Sequence, residues 1–383
     1  MDLLSIIQFP VNTAVTYALP FLVALTIIVF IHELGHFLVA RWCGVGIEAF
    51  SIGFGREITG WHDRYGTRWK LCWIPLGGYV KFEGDANAAS MPGDAPRDAQ
   101  PLAPVNFHGK PLWQRAAVVV AGPLANFILA IAIFAGAFAY FGVPINEPRV
   151  DEVLAGSAAE KAGIKAGDLV LAIDGRAIEN FSDLQQAIFT RAGEQLVILL
   201  DRGGVQLSLQ AVPDLKEEPD GFGGKFRVGL LGVKHNPDAD QKYRKLGVVE
   251  SVQKGTERTW FVVATTFKYL GKLVRGRESP DQLGGPIAMA KAAGDAASGG
   301  LFSFTYMIGF LSVSIGLLNL FPIPMLDGGH LVYYGIEALR GKPLGPNAQE
   351  WGYRIGLSLV VMLMLVGTWN DVVRLIAMAF GGS

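Results

Sequence analysis

Between Tyr17 and Ala40 the only ionisable side chains are His32, Glu33 and His36, set in an otherwise apolar run from Ala14 to Trp42. A run of that length and character spans a bilayer as a helix, because lipid offers no partner for backbone N–H and C=O groups. Ionisable groups inside such a span are costly and by default mark a functional site. Residues four apart share a helix face, so both imidazoles can reach one metal ion. Glu33, next to the first histidine, is placed to act as general base on a water at that metal.

The rest of the chain agrees with a membrane setting. Of 383 residues, 51% are hydrophobic and 17% charged, too apolar for an ordinary soluble protein. The 48 glycines suit close helix packing and interrupted spans. A net charge of −1, with no basic stripe or stacking motif, argues against a nucleic-acid partner. The two cysteines, Cys43 and Cys72, fit no disulfide framework or zinc knuckle and suit a reducing, cytoplasmic loop. Residues 1–40 lack Lys and Arg, so the first run reads as a retained span and not a signal peptide.

Four spans are predicted: Ala14–Trp42, Trp113–Phe141, Phe302–Leu320 running into the Asp327 region, and Ile355–Leu375. The loop after the first is rich in Lys and Arg, from Arg41 to Arg115, and the loop before the last adds Arg340, Lys342 and Arg354. Both loops are therefore expected in the cytoplasm and both termini outside it. His32 then lies about 13 Å along the helix from Arg41, within the bilayer towards the cytoplasmic face.

The first loop alternates polar and apolar residues over Arg68–Trp73, and Ile47–Gly55 reads as another strand set. A hairpin there either dips into the membrane and offers an edge strand to an extended substrate, or rests on headgroups through Trp61, Trp69 and Trp73. Residues 85–104 read as a connector. The composition turns soluble from Glu147 to His235. Strands are predicted at Val150–Leu154, Leu169–Ile173, Leu196–Leu200 and Val205–Ala211, with helices at Ala158–Ala162 and Phe181–Thr190. Without a catalytic constellation, this α+β module suits binding better than chemistry. Val248–Val274 reads as an amphipathic helix, on the membrane surface or packed against the module.

A catalytic zinc site needs a third protein ligand. Asp327 is the first candidate, where Pro322, Pro324, Gly328 and Gly329 interrupt the third span. His330 ranks second, since two histidines and one carboxylate form a standard set. Asn319 is placed to bond a substrate carbonyl or a developing oxyanion. His62 and His108 lie in loop sequence and are assigned no role.

At these residues the chain resembles the site-2 protease family of intramembrane zinc metalloproteases, in particular the bacterial branch that cuts anti-sigma factors in the sigma-E type response. His32-Glu33-Leu34-Gly35-His36 is similar to its zinc motif, Gly122–Phe127 to its second-span signature, and Asn319–Gly328 to its Asn-x-x-Pro-x-Pro-x-Leu-Asp-Gly pattern. Ile74–Val80 resembles its membrane-reentrant hairpin. The resemblance implies one zinc ion per chain on His32, His36 and Asp327, activation of water by Glu33, and substrate handling by Asn319. It also implies substrate contacts at Trp73, Ile74, Gly77, Gly78 and Tyr79. The soluble module looks like a PDZ domain over Gly156–Asp168, and there is room for one, where the best-known enterobacterial member has two.

The expected fold is thus a polytopic α-helical membrane protein with four transmembrane helices, a membrane-associated β-hairpin and an inserted PDZ domain. Its parts are a first membrane half (1–146), the PDZ domain (147–236), a connector with the amphipathic helix (237–300) and a second membrane half (301–383). Expected partners are the lipid bilayer, single-span substrates of the anti-sigma factor type or remnant signal peptides, and a peptide or protein ligand of the PDZ domain. The expected place is a bacterial inner membrane, with both termini and the PDZ domain periplasmic. Two alternatives are a membrane-anchored zinc protease for soluble or misfolded proteins and a non-catalytic PDZ scaffold.

Overall fold

A computed structural model describes residues 3–84, 106–145, 147–189, 191–219, 225–234, 242–276 and 284–380. The connector expected at 85–104 and His235 lie outside these residues. The chain divides into two compact units, one within Met1–Gly136, Val252–Leu270 and Leu283–Asp371, the other within Ala137–Ser251, Gly271–Gln282 and Val372–Ser383.

The first unit opens with helix α1 (Leu3–Trp42), longer than its apolar run because Asn12 and Thr13 do not stop a helix. Strands β1 (Ile47–His62) and β2 (Arg68–Phe82) follow, then helix α2 (Leu112–Phe141). The two strands are bent, so the hairpin doubles back on itself. The end of β1 pairs with the start of β2 (Trp61 with Trp69), that segment pairs with the start of β1 (Phe50 with Trp69), and β1 pairs on its other side with the end of β2 (Phe50 with Val80). Gly53 makes the bend possible: its φ is +87°, and a Cβ there would lie 2.6 Å from the Ile74 carbonyl oxygen. The last residues of β2 form a sheet edge.

Aromatic packing fixes this sheet on α1. Phe50 is fully buried, stacks on Trp69 at 4.4 Å and meets Phe30 and Phe37 edge-on. Trp69 is therefore part of the core, where a headgroup anchor was one expectation; Trp61 and Trp73 stay exposed. At the sheet's far end Arg41 donates to Asp63 (2.7 Å) and Thr67 (2.8 Å), and its guanidinium lies over Phe37 and Tyr65. Partial burial pushes the Asp63 carboxyl up, but Arg41 and the N–H groups of Tyr65, Trp69 and Thr67 outweigh it and hold the pKa at about 2. A depressed carboxyl stabilises the fold above its unfolded value, and the contribution fades as pH falls. Acid melts from pH 5 to 2 should therefore show a loss of stability between about pH 4 and pH 2 that is smaller in Asp63→Asn. An unchanged melt profile in that variant would count against the clamp.

The second unit carries short strands β3 (Val143–Ile145) and β4 (Glu152–Val153), helix α3 (Ala158–Lys161), β5 (Leu169–Ile173), β6 (Arg176–Ala177), helix α4 (Phe181–Phe189), β7 (Leu196–Arg202) and β8 (Val205–Ala211). Strands β9 (Asp214–Pro219), β10 (Lys225–Leu230), β11 (Val233–Lys234) and β12 (Lys242–Arg244) complete it. A four-stranded sheet runs β6-β5-β7-β8, and β11 pairs with β4. Side-chain caps start both helices: Ser157 accepts from the Glu160 amide and Asn180 from the Asp183 amide. Val150, Val170, Leu184, Leu196, Ile198 and Leu200 fill the core. Asp168 is buried beneath the sheet; burial raises its pKa, but the two-pronged bond from Arg202 and the Lys165 amide hold it below the ordinary range.

Helix α5 (Val248–Val274) is amphipathic, with Thr259 and Val262 buried and Trp260 and Phe267 exposed. Helices α6 (Pro286–Ser298), α7 (Leu301–Asn319), α8 (Asp327–Arg340) and α9 (Pro346–Phe380) follow, and the first unit takes them as far as Asp371. Asp371 of α9, almost fully buried, accepts from the amides of Gly285, Ile287 and Ala288 at 2.9–3.1 Å and so caps α6 from another helix. Among the described residues, four segments are long and apolar enough to cross a membrane: Val15–Trp42, Leu112–Phe141, Leu301–Asn319 and Asn347–Ala377.

Candidate metal centre

Three elements meet at the site. Helix α1 brings His32, Glu33 and His36 on adjoining faces. Helix α2 lies against them at Gly35, where a Cβ would be 2.8 Å from the Ala125 side chain, and at Gly122, where a Cβ would lie 2.9 Å from His32 Cε1. The third is the broken segment between α7 and α8. Pro322 and Pro324 deny it helical hydrogen bonds, and Met325 takes a φ of +107°, a strained value that costs on the order of 1–3 kcal/mol. Helix α8 starts at Asp327, so its carboxylate sits where free helix amides favour negative charge.

The ligand atoms converge. His32 Nε2 is 3.1 Å from Asp327 Oδ2, His36 Nε2 is 3.5 Å from Asp327 Oδ1, and the two Nε2 atoms are 3.2 Å apart. Tetrahedral ligands at 2.0–2.2 Å from zinc stand about 3.3–3.6 Å from one another, near these separations, with each histidine facing a different oxygen of Asp327. Asp327 Oδ2 is buried without a hydrogen-bond partner despite its nearness to His32, as suits an oxygen directed at a cation. These residues fit zinc. Helix α2 holds both rings from behind: His36 Nδ1 lies 2.8 Å from the Val118 carbonyl, beside the turn that Pro123 opens, and His32 Nδ1 lies 3.2 Å from Asn126 Nδ2.

A cavity of about 330 Å³ adjoins the trio, lined by Glu33, Asn319 and Met325 and by Gly77, Gly78 and Tyr79 of the β2 edge. Glu33 also lies within reach of the Val80 amide, so the sheet edge touches the expected base. Thr26, two turns before Glu33, approaches the Pro75 carbonyl at 3.3 Å, which places the strand alongside α1 well inside the span. Trp73 and Ile74 stand exposed farther along β2, off the cavity wall. His330 lines the cavity, but the grouped ligand atoms are those of His32, His36 and Asp327. His62 ends β1, and His108 lies against Phe107 in a short 3-10 turn, both away from the cavity lining. The sequence reading missed Asn126 as a site residue, although its Gly-Pro-x-x-Asn spacing puts it one helical turn beyond Gly122, which backs both rings.

Known proteins point the same way. Residues 20–363 match the model of peptidase family M50. A protein of Agrobacterium fabrum, provisionally named a zinc metalloprotease, is 47% identical over 368 residues, covering 94% of this chain and 96% of its own. One of Rhizobium meliloti, named in the same way, is 47% identical over 362 residues, 93% of this chain and 96% of its own. The metalloprotease MmpA of Caulobacter vibrioides is 41% identical over 377 residues, 92% and 94% of the two chains. A match over most of the length, with two histidines and an aspartate grouped as a metal ion could hold them, shows that the chain belongs to peptidase family M50, the zinc metalloproteases.

Proposed function

We propose that the protein is an intramembrane zinc endopeptidase of the site-2 type, which hydrolyses peptide bonds within or beside the spans of single-span membrane proteins. The carrying observation is that His32, His36 and Asp327 converge on a cavity that also receives Glu33 and the open edge of β2, with His32 ten residues inside the end of α1. A surface protease for soluble proteins would need its ligands at or beyond the interface, and a scaffold would not need Glu33.

Zinc on these three ligands, one ion per chain, would polarise the scissile carbonyl and acidify water. The chain's own residues do the rest. A substrate helix hides its peptide bonds in i to i−4 hydrogen bonds and must unwind before it can be cut. The unwound strand adds to the β2 edge at Gly77–Tyr79, where glycines let backbone approach backbone. Glu33 removes a proton from the attacking water and returns it to the leaving amine as the C–N bond breaks. Asn319 donates its amide to the carbonyl oxygen as negative charge builds on it.

In this reading the second unit is a single PDZ domain that takes a peptide or protein ligand, and α5 lies on the membrane surface through Trp260 and Phe267. Both termini and the PDZ domain are periplasmic in a bacterial inner membrane, and substrates are of the anti-sigma factor type or remnant signal peptides, as part of a stress response by regulated proteolysis.

The test is cleavage of a tagged single-span substrate by purified protein in detergent. Chelation should abolish a cut within the span, and about one equivalent of zinc should restore it. Cutting that survives complete zinc removal would defeat the proposal.

A further inference from the structure

The two histidines are held from behind by groups of different kinds. His36 Nδ1 faces a backbone carbonyl, which can only accept, so this nitrogen carries the ring proton and Nε2 keeps its lone pair towards the ligand cluster. No side chain is needed for that choice. His32 Nδ1 faces the side chain of Asn126, which is fully buried and carries both a donor and an acceptor. With Nδ2 turned to the ring, Oδ1 is left buried without a partner, and a half-turn would leave Nδ2 so, which means that end of the amide does not choose between the two. Oxygen and nitrogen of an amide exchange places by a half-turn, and the hydrogen-bond network decides between them. His32 decides here: for Nε2 to present a lone pair beside Asp327, Nδ1 must carry the proton, and the atom facing it must be Oδ1.

We infer that Asn126 is a positioning residue for the metal site, its Oδ1 accepting from His32 Nδ1–H and so fixing the ring's tautomer and angle. This rests on the zinc reading of His32. Two further contacts hold Asn126 in register. Its backbone carbonyl accepts from the buried Ser312 hydroxyl of α7 at 2.9 Å, and Gly316 lies close against its Cβ. One buried residue, through its backbone and its side chain, thereby ties α1, α2 and α7 together at the ligand.

The readout is metal affinity, with activity set aside. Zinc retained by purified protein is titrated against a chromogenic chelator for wild type, Asn126→Leu and Asn126→Asp. Leucine is near asparagine in volume and has no acceptor; aspartate has acceptors alone. The inference expects zinc affinity to fall about 10–100-fold in Asn126→Leu and to return to within a few-fold of wild type in Asn126→Asp. Elution from a sizing column and helical circular dichroism check that the variants fold. Should Asn126→Leu aggregate, Asn126→Ala replaces it with the same expectation. Wild-type affinity in the acceptor-free variant, or equally weak binding in Asn126→Asp, overturns the inference. If wild type itself binds no zinc, the parent reading has failed.

Discussion

Glu33→Gln should lower the rate of cleavage by about 10²–10⁴-fold while zinc content stays at the wild-type level. The amide has the shape of the carboxylate, but it cannot take a proton from water. Glu33 is not one of the three converging ligands, so its loss removes no bond to the metal. Separation of the two readouts gives the experiment its force, because Asp327→Ala should lose zinc and activity together. E33Q cutting at the wild-type rate would remove Glu33 from the role of base. Loss of zinc in that variant would make the carboxylate a ligand or a structural support.

A single methyl group should do as much damage from the neighbouring helix. In Gly122→Ala the new Cβ would sit 2.5 Å from His36 Cε1 and 2.9 Å from His32 Cε1, closer than real carbon atoms approach. Neither ring can swing away, since each is bonded on its far side to α2 and directed on its near side at Asp327. The expected result is loss of bound zinc and of cleavage, in a protein that still inserts. Gly136→Ala on the same helix is the control. Nothing lies within 4 Å of its Cβ, so it should be neutral or stabilising by up to about 1 kcal/mol. Zinc binding by G122A at wild-type affinity would show that the two helices are looser than their packing implies.

The grouping of His32, His36 and Asp327 was legible in the sequence because its information is local. His32 and His36 declare a shared helix face by spacing alone, and the prolines and glycines around Asp327 announce a break where a carboxylate enters an apolar span. The spans were legible for a similar reason, since length and hydropathy suffice; their ends were less so, and α1 continues to Leu3 through Pro10, a residue that disfavours a helix interior. The doubling of the hairpin was not legible. Each half of β1 and β2 alternates well enough for a strand, but which half pairs with which depends on bends at Gly53 and Gly55 and on Phe50 finding Trp69. Asn126 was hidden for another reason: its partner is 94 residues away, and a single polar residue in a span does not say what it faces.

The contacts of α9 have a consequence for the order in which the protein comes into being. Gly352 lies under the Tyr333 hydroxyl and Gly356 under the Pro324 carbonyl, so close that neither position has room for a side chain. Farther along the same helix, Asp371 holds the first amides of α6. A chain that has made α1, α2, α7 and α8 already contains every polar group of the site. What it lacks is the surface that presses the Pro322–Pro324 bend into shape and sets Asp327 opposite the histidines. The bend that carries Asp327 therefore gains its support only after α9 has been made and has packed against Pro324.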